Sequence, residues 1–408
     1  MISVRSQLLR QGSRIFAHCI LFPALVLTSC FARAEDPRAL EQRTERLERW
    51  VEDYEPATAD GMVFGGALRF QYAYRDWDEA SRERFGDLEF EVFRVNVVGR
   101  QGRVSFSGEY RWYEFMDTIH HGWIGYDFTE RLTARVGVQQ VPFGNLPYNS
   151  HSFFFSSGFY LGLEDDYDLG GTLHWGSGPW AVAAGFFKND GTPGSGNERY
   201  SYDLVTAPAS EGEEDGHFQR ETNEVTVRVA RTLQHDVKAE TEFGLSARAG
   251  QMSNTQTLDT GHRLAGAVHM NGNYGRWNLM LQAARLEFSP EFAADEERDF
   301  VNLGAFASDS PVPLENTLYT ANLAYSISVD RGGLDHVTLY NNYSLVTDKE
   351  PDFEDTFMNV LGASLSAGNA FIYADVVTAR NQPFIGGVLA GEERGTNTRV
   401  NLNIGYYY

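Results

Sequence analysis

Cysteine is confined to Cys19 and Cys30, and lysine to Lys188, Lys238 and Lys349. No run of about 20 apolar residues occurs after residue 34, which excludes a membrane-spanning helix. The motifs of phosphate-binding loops (G-x-x-x-x-G-K-[ST]), serine hydrolases (G-x-S-x-G) and zinc proteases (H-E-x-x-H) are missing too. Both cysteines fall inside a segment that reads as a removable leader. The chain that remains would then have no thiol, excluding disulfides and thiolate metal sites and suiting passage through an oxidising compartment. Basic charge is also short. Without Arg5, Arg10, Arg14 and Arg33, 30 basic residues face 56 acidic ones, a formal charge of −26. Nucleic acid is not an expected partner, because phosphate contacts need a basic surface.

The leader reading covers residues 1–34. Three arginines precede an apolar stretch from Ile15 to Thr28, and Ala32-Arg33-Ala34 is a small-residue cleavage site. Leu27-Thr28-Ser29-Cys30 also fits a lipoprotein box, which would leave Cys30 as a lipidated first residue. Residues 35–60 differ from the rest of the chain. From Ala39 to Val51 they are charged and helix-prone, with Leu40, Leu47 and Tyr54 at heptad spacing. Either a short periplasmic coiled coil or a solvated linker helix fits so few turns.

From residue 61 the pattern changes to strands and turns, without a convincing helix. At the C-terminus Val400, Leu402, Ile404, Tyr406 and Tyr408 alternate with Arg399, Asn401, Asn403, Gly405 and Tyr407. A strict period of two places these sets on opposite faces of one strand, each in a different environment. Sixteen such strands are predicted: 62–74, 87–99, 102–115, 118–128, 131–141, 167–175, 180–188, 222–232, 237–250, 262–273, 276–288, 317–329, 334–346, 356–367, 369–380 and 396–408. In 102–115, Val104, Phe106, Tyr110 and Trp112 oppose Arg103, Ser105, Ser107, Glu109 and Arg111. Strand 87–99 changes phase near Val92-Phe93, the mark of a β-bulge. Asn341 interrupts an apolar face and is expected at a subunit contact.

Tight turns such as Thr129-Glu130, Tyr274-Gly275 and Asp330-Arg331-Gly332-Gly333 alternate with long polar stretches at 142–166, 189–221, 251–261, 289–316 and 381–395. An even number of strands with long loops on one side only predicts an all-β, transmembrane antiparallel β-barrel of the bacterial outer membrane. Its apolar face meets lipid and lipopolysaccharide. Its last strand, ending in the aromatic Tyr408, has the form of a signal for the barrel-assembly machinery.

Arginine recurs on the polar faces, at Arg69, Arg111, Arg135, Arg228, Arg248, Arg263 and Arg399. These side chains are expected to line the lumen, some paired with Glu109 or Glu242, and to attract small anions. The acidic excess gathers in loops, at Glu211 to Asp215, Asp295 to Glu297 and Glu350 to Asp355. One long stretch stands apart: Pro142, Phe143, Gly144, Tyr148, Phe153, Phe154 and Phe155 are too aromatic for a loop in water. It is expected to fold into the barrel and constrict it, or to grip a neighbouring subunit. His120, His121, His151 and His174 lack metal-ligand spacing, so no metal or cofactor is expected. A barrel-borne hydrolase would need a Ser, a His and an orienting partner at the rim, and no such set stands out.

Val136-Gly137-Val138-Gln139-Gln140-Val141-Pro142-Phe143-Gly144 resembles the strand and loop start of phosphate-selective porins. Asp168 to Trp175, Gly185 to Gly191 and Thr338 to Ser344 are similar to further segments of that family, so the likeness spans 61–408. It implies a sixteen-stranded homotrimer with a constricting third outer loop and arginine-lined passage of small hydrophilic solutes or anions. The stretch 142–166, however, has no Lys or Arg. A sugar-passing porin, with Tyr148, Phe153 and Phe154 as an aromatic path, is the alternative.

Overall fold

The computed structural model describes residues 60–192, 196–206, 218–292 and 298–408. The leader, Cys30, the helix-prone segment and the acidic runs at 211–215 and 295–297 lie outside these residues. Sixteen strands form a closed antiparallel barrel. They are β1 (Gly61–Arg75), β2 (Asp87–Gln101), β3 (Val104–Tyr113), β4 (Asp117–Thr129), β5 (Leu132–Gln140), β6 (Tyr167–Ser177), β7 (Trp180–Asp190), β9 (Gln219–Asp236), β10 (Ala239–Asn254), β11 (Thr260–Tyr274), β12 (Trp277–Ser289), β15 (Glu315–Arg331), β16 (Leu334–Glu350), β17 (Thr356–Ala367), β18 (Ala370–Arg380) and β19 (Asn397–Tyr407). Each expected strand overlaps one of these. The C-terminal strand β19 closes the barrel against β1, in register from Ala67↔Tyr407 to Arg75↔Arg399. All connections longer than three residues leave from the same end of the barrel, and two-residue turns join the strands at the other.

The period of two becomes an outside and an inside. Val400, Ile404, Tyr406 and Tyr408 are exposed on the outer face, and Leu402 is partly so. Arg399, Asn401, Asn403 and Tyr407 are buried within. Aromatic side chains ring the outer face near both ends, among them Trp175, Trp180 and Trp277 by the tight turns and Phe93 stacked on Trp112 toward the loops. Such girdles mark the two membrane interfaces. The phase change in β2 is a bulge: Phe70 pairs with Phe90 and Arg69 with Val92, so Glu91 is the extra residue. It lets Glu89, Glu91 and Arg94 all turn inward while Phe90 and Phe93 stay outside. Asn341 lies on the outer face, where it and Asn359 exchange hydrogen bonds of 3.2 and 3.1 Å.

Two expectations need correction. A helix does occur, α1 (Glu79–Arg84), started by the Asp78 carboxylate accepting from the Ala80 N–H at 3.0 Å. And the stretches 189–221 and 289–316 are not simply polar outer loops. They supply β8 (Asp203–Leu204), β13 (Phe300–Ala305) and β14 (Ser308–Pro313), which form a separate three-stranded sheet. Leu204, Val301, Leu303, Ala305 and Val312 are buried there, in one apolar cluster with Phe143, Phe159, Tyr160 and Leu161. Each large apolar side chain so buried contributes roughly 1.5–3 kcal/mol, enough to hold these segments against the barrel rather than in water.

A cavity between an arginine wall and an aromatic loop

The connection between β5 and β6, residues 141–166, crosses the barrel and fastens to the far wall. The Gly144 N–H donates to Ser246 Oγ (3.0 Å), and its carbonyl accepts from Arg228 Nε (2.8 Å). The Asn145 N–H donates to Gln282 Oε1 (2.9 Å), and Asn149 Nδ2 to Thr320 Oγ1 (2.9 Å). The Ser157 N–H reaches Ser344 Oγ at 3.1 Å. These partners lie on β10, β9, β12, β15 and β16. Gly144 has φ +64, and a Cβ there would lie 2.2 Å from Gln282 Oε1, so glycine suits this anchor and a larger residue would push the Gln282 amide aside.

Within the loop, Glu164 is the organising side chain. It accepts from the Asn149 and Ser156 N–H groups (2.8 and 2.9 Å) and from Ser150 Oγ (3.1 Å) and Ser156 Oγ. Burial pushes its carboxyl above the usual value, while these donors pull it down. Burial pulls the His151 imidazole below its usual value, against the bonds to Asn342 and Asn278. With the Asn342 amide turned to accept from the backbone N–H of His151 (2.8 Å) and Ser152 (2.9 Å), it donates to His151 Nδ1 (3.0 Å). Nε2 then donates to Asn278 Oδ1 (2.6 Å).

Because the loop covers one side of the lumen, a cavity of about 590 Å³ remains along the other, at β19, β1, β2 and β3. Its wall carries Arg69, Arg75, Arg94, Arg111 and Arg399; facing it are Tyr148, Phe153, Phe154, Phe155 and neighbouring rings. Glu91 takes Arg69 in a two-point contact (2.5 and 2.9 Å), and Glu89 takes Arg75 (2.8 Å). Glu109 lies between Arg111 (2.5 Å) and Arg94 (3.5 Å). Arg399 is the exception: among the described residues it pairs with no carboxylate. It donates to the Phe384 carbonyl (3.3 Å) and Asn401 Oδ1 (3.2 Å), with its guanidinium carbon 4.9 Å from the centre of the Phe154 ring. Arg111 similarly sits 4.6 Å from the Tyr200 ring centre. Guanidinium over an aromatic face is a favourable electrostatic contact.

Of the seven arginines singled out from the sequence, Arg69, Arg111 and Arg399 meet at this cavity. Arg228 and Arg248 instead hold the inward loop, and Arg263 ties β11 to β9, all three within ion pairs. Arg228 bonds Glu242 (2.5 Å) and Gly144; Arg248 bonds Glu224, Asp166 and the Gly162 carbonyl; Arg263 bonds Glu221 and Glu224. Arg135 lies over the Trp123 ring at 4.3 Å, away from the cavity lining. Arg75 and Arg94 were not anticipated. Arg94 was hidden by the phase change of β2, and Arg75 by its place at the very end of β1. Of the aromatic stretch, Tyr148 and Phe153 to Phe155 line the cavity, whereas Phe143 packs into the inner apolar cluster and Pro142 accepts from Thr226 Oγ1 at its carbonyl (3.2 Å).

No protein-family model and no curated protein matches this sequence. Solved structures do. The outer-membrane protein OmpT of Vibrio cholerae superposes with a TM-score of 0.54 at 14% identity, over 87% of this chain and 100% of that one. The anion-selective porin of Comamonas acidovorans gives 0.53 at 14%, covering 85% and 99%. The outer membrane channel DcaP of Acinetobacter baumannii gives 0.54 at 11%, covering 87% and 99%. At such identities the likeness establishes the fold, which is that of an outer-membrane barrel.

Proposed function

We propose that this chain is an outer-membrane porin for passive diffusion of small hydrophilic solutes, with a preference for anions. The observation that carries the reading is the cavity's asymmetry. Five guanidiniums on four adjoining strands face four acids, Glu89, Glu91 and Glu109 that pair with them and the exposed Glu114, and Arg399 has no acidic partner among the described residues. Fixed positive charge in a narrow wet lumen raises the local anion concentration without any covalent chemistry. Arginine offers forked contacts to carboxylate or phosphate, which supports the phosphate-selective resemblance on the strand wall, although the loop itself brings no Lys or Arg. The inward loop is the constriction in this reading, and an anion-selective porin is among the proteins that share the fold. A homotrimer is proposed as well; a trimer form of the Vibrio OmpT is among the similar structures. The test is ion current across planar bilayers under a salt gradient. Anion-selective reversal potentials are expected; cation selectivity, or no current at all, would overturn the proposal. A sugar-passing channel draws support from the rings along the cavity and would show itself as current blocked by oligosaccharides with no ion preference.

A further inference from the structure

Away from the cavity, the end of the inward loop carries a second constellation. Asp166 closes the loop, Asp168 is the second residue of β6, and Asp203 belongs to β8 of the inner sheet. All three are buried, with 4%, 1% and 2% of their surface exposed. One carboxylate oxygen from each lies within 4.8 Å of the others. A cluster of acids alone would say little, but its hydrogen bonding is incomplete. Among the described residues, neither oxygen of Asp168 accepts a hydrogen bond, and nor does Oδ1 of Asp166. Buried carboxylate oxygens left bare in this way are costly and rare.

The surrounding cations are already committed. Arg248 donates to Glu224 (2.8 Å) and to Asp166 Oδ2 (2.8 Å), and reaches Asp168 only at 3.9 Å. Arg199 pairs with Asp190 (2.8 Å) and Asp203 (3.4 Å), and Arg263 with Glu221 and Glu224. Three guanidiniums thus serve six carboxylates: Asp166, Asp168, Asp190, Asp203, Glu221 and Glu224. We infer that Asp166, Asp168 and Asp203 form a buried calcium site that ties the inward loop to the barrel wall and to the inner sheet. An all-oxygen donor set selects a hard cation over zinc or copper. Calcium bonds oxygen at about 2.3–2.6 Å, so two ligands across one ion span up to about 5 Å, which suits this spacing. Magnesium prefers tighter octahedral shells that keep several waters, and so fits three fully buried side-chain carboxylates less well.

The test uses the full barrel folded in detergent, stripped with chelator and titrated with calcium alone in a calorimeter. One ion per chain is expected, together with a rise in the unfolding temperature on adding calcium. Asp168→Asn should weaken binding by at least about tenfold and lose the calcium-dependent rise, while the chelator-treated variant is as stable as the wild type or more so because one bare carboxylate is gone. If Asp168→Asn does not reach the folded, heat-modifiable form on a gel, Asp203→Asn takes its place. Wild-type protein that binds no stoichiometric calcium would overturn the site, since the acids would then share protons instead. Unchanged affinity in the variant would also overturn it, by assigning the binding to surface acids. Magnesium binding as tightly as calcium would overturn the choice of ion.

Discussion

Replacing Arg399 with glutamine removes the cavity cation that has no acidic partner among the described residues and keeps a polar amide, about two bonds shorter than the guanidinium that reaches the Phe384 carbonyl. Its burial against Phe154 holds the charge at the cavity wall, where an ion about 6 Å away would feel it directly. With an effective dielectric constant of about 40 to 80, one unit charge at that distance is worth about 0.7–1.4 kcal/mol. Screening at 0.1 M salt, with a Debye length of about 10 Å, cuts this to about 0.4–0.8 kcal/mol. The anion loses that attraction and the cation loses an equal repulsion, so the permeability ratio changes by about 0.8–1.5 kcal/mol. This is a fall of about fourfold to thirteenfold in anion-over-cation preference. The assay is the reversal potential of reconstituted channels under a tenfold potassium chloride gradient. Arg135→Gln, outside the cavity lining, is the control and should move the ratio by less than about twofold. If Arg399→Gln changes it no more than the control does, the arginine wall does not set the field in the pore.

Arg248→Leu leaves Asp166 and Glu224 buried with less compensation, and loss of one partner from such a network costs about 3–5 kcal/mol. It should lower the temperature at which the folded gel band is lost, and raise current noise as the loop comes away from the wall. Phe154→Ala together with Phe155→Ala widens the cavity at the loop's free edge; single-channel conductance should rise, and unchanged conductance would place the narrowest point elsewhere. Glu164 holds its proton more tightly in the folded chain than in the unfolded one, because burial raises it. From about pH 4.3 up through the folded-state titration, the native chain therefore binds more protons, and its stability falls as pH rises. Chemical denaturation of wild type against Glu164→Gln should show a stability difference that shifts across this range in the wild type's disfavour; a constant difference would refute the account. Asn341→Arg with Asn359→Arg should shift a trimer to monomer in light scattering if this amide pair sits at the subunit contact, and leave the mass unchanged if it faces lipid.

The barrel was legible because lipid and lumen act on alternate residues: β19 shows this along its length, and β3 sets Val104, Phe106, Tyr110 and Trp112 against Ser105, Ser107, Glu109 and Arg111. Where the alternation breaks, inference weakened. The bulge at Glu91 was visible as a lost phase, but the sequence did not say which residues beyond it turn inward, so Arg94 was missed. The inner sheet left a fainter trace in Val301, Leu303 and Ala305, which alternate with Asn302 and Gly304 over only a few residues. Its partner strands come from different connections, a pairing that local pattern cannot reveal. The division of the arginines, some facing the cavity and others anchoring loops, depends on where the loop lands. That in turn rests on contacts such as Gly144 with Arg228, 84 positions apart.

The inward loop presents two unlike edges: polar groups riveted to β9–β16, and rings at 153–155 turned toward open space. Attachment and lining are thus assigned to different residues of one segment. Substitutions along the ringed edge can reshape the cavity without loosening the rivets, so the proposed channel can be retuned for new cargo while its frame is inherited unaltered.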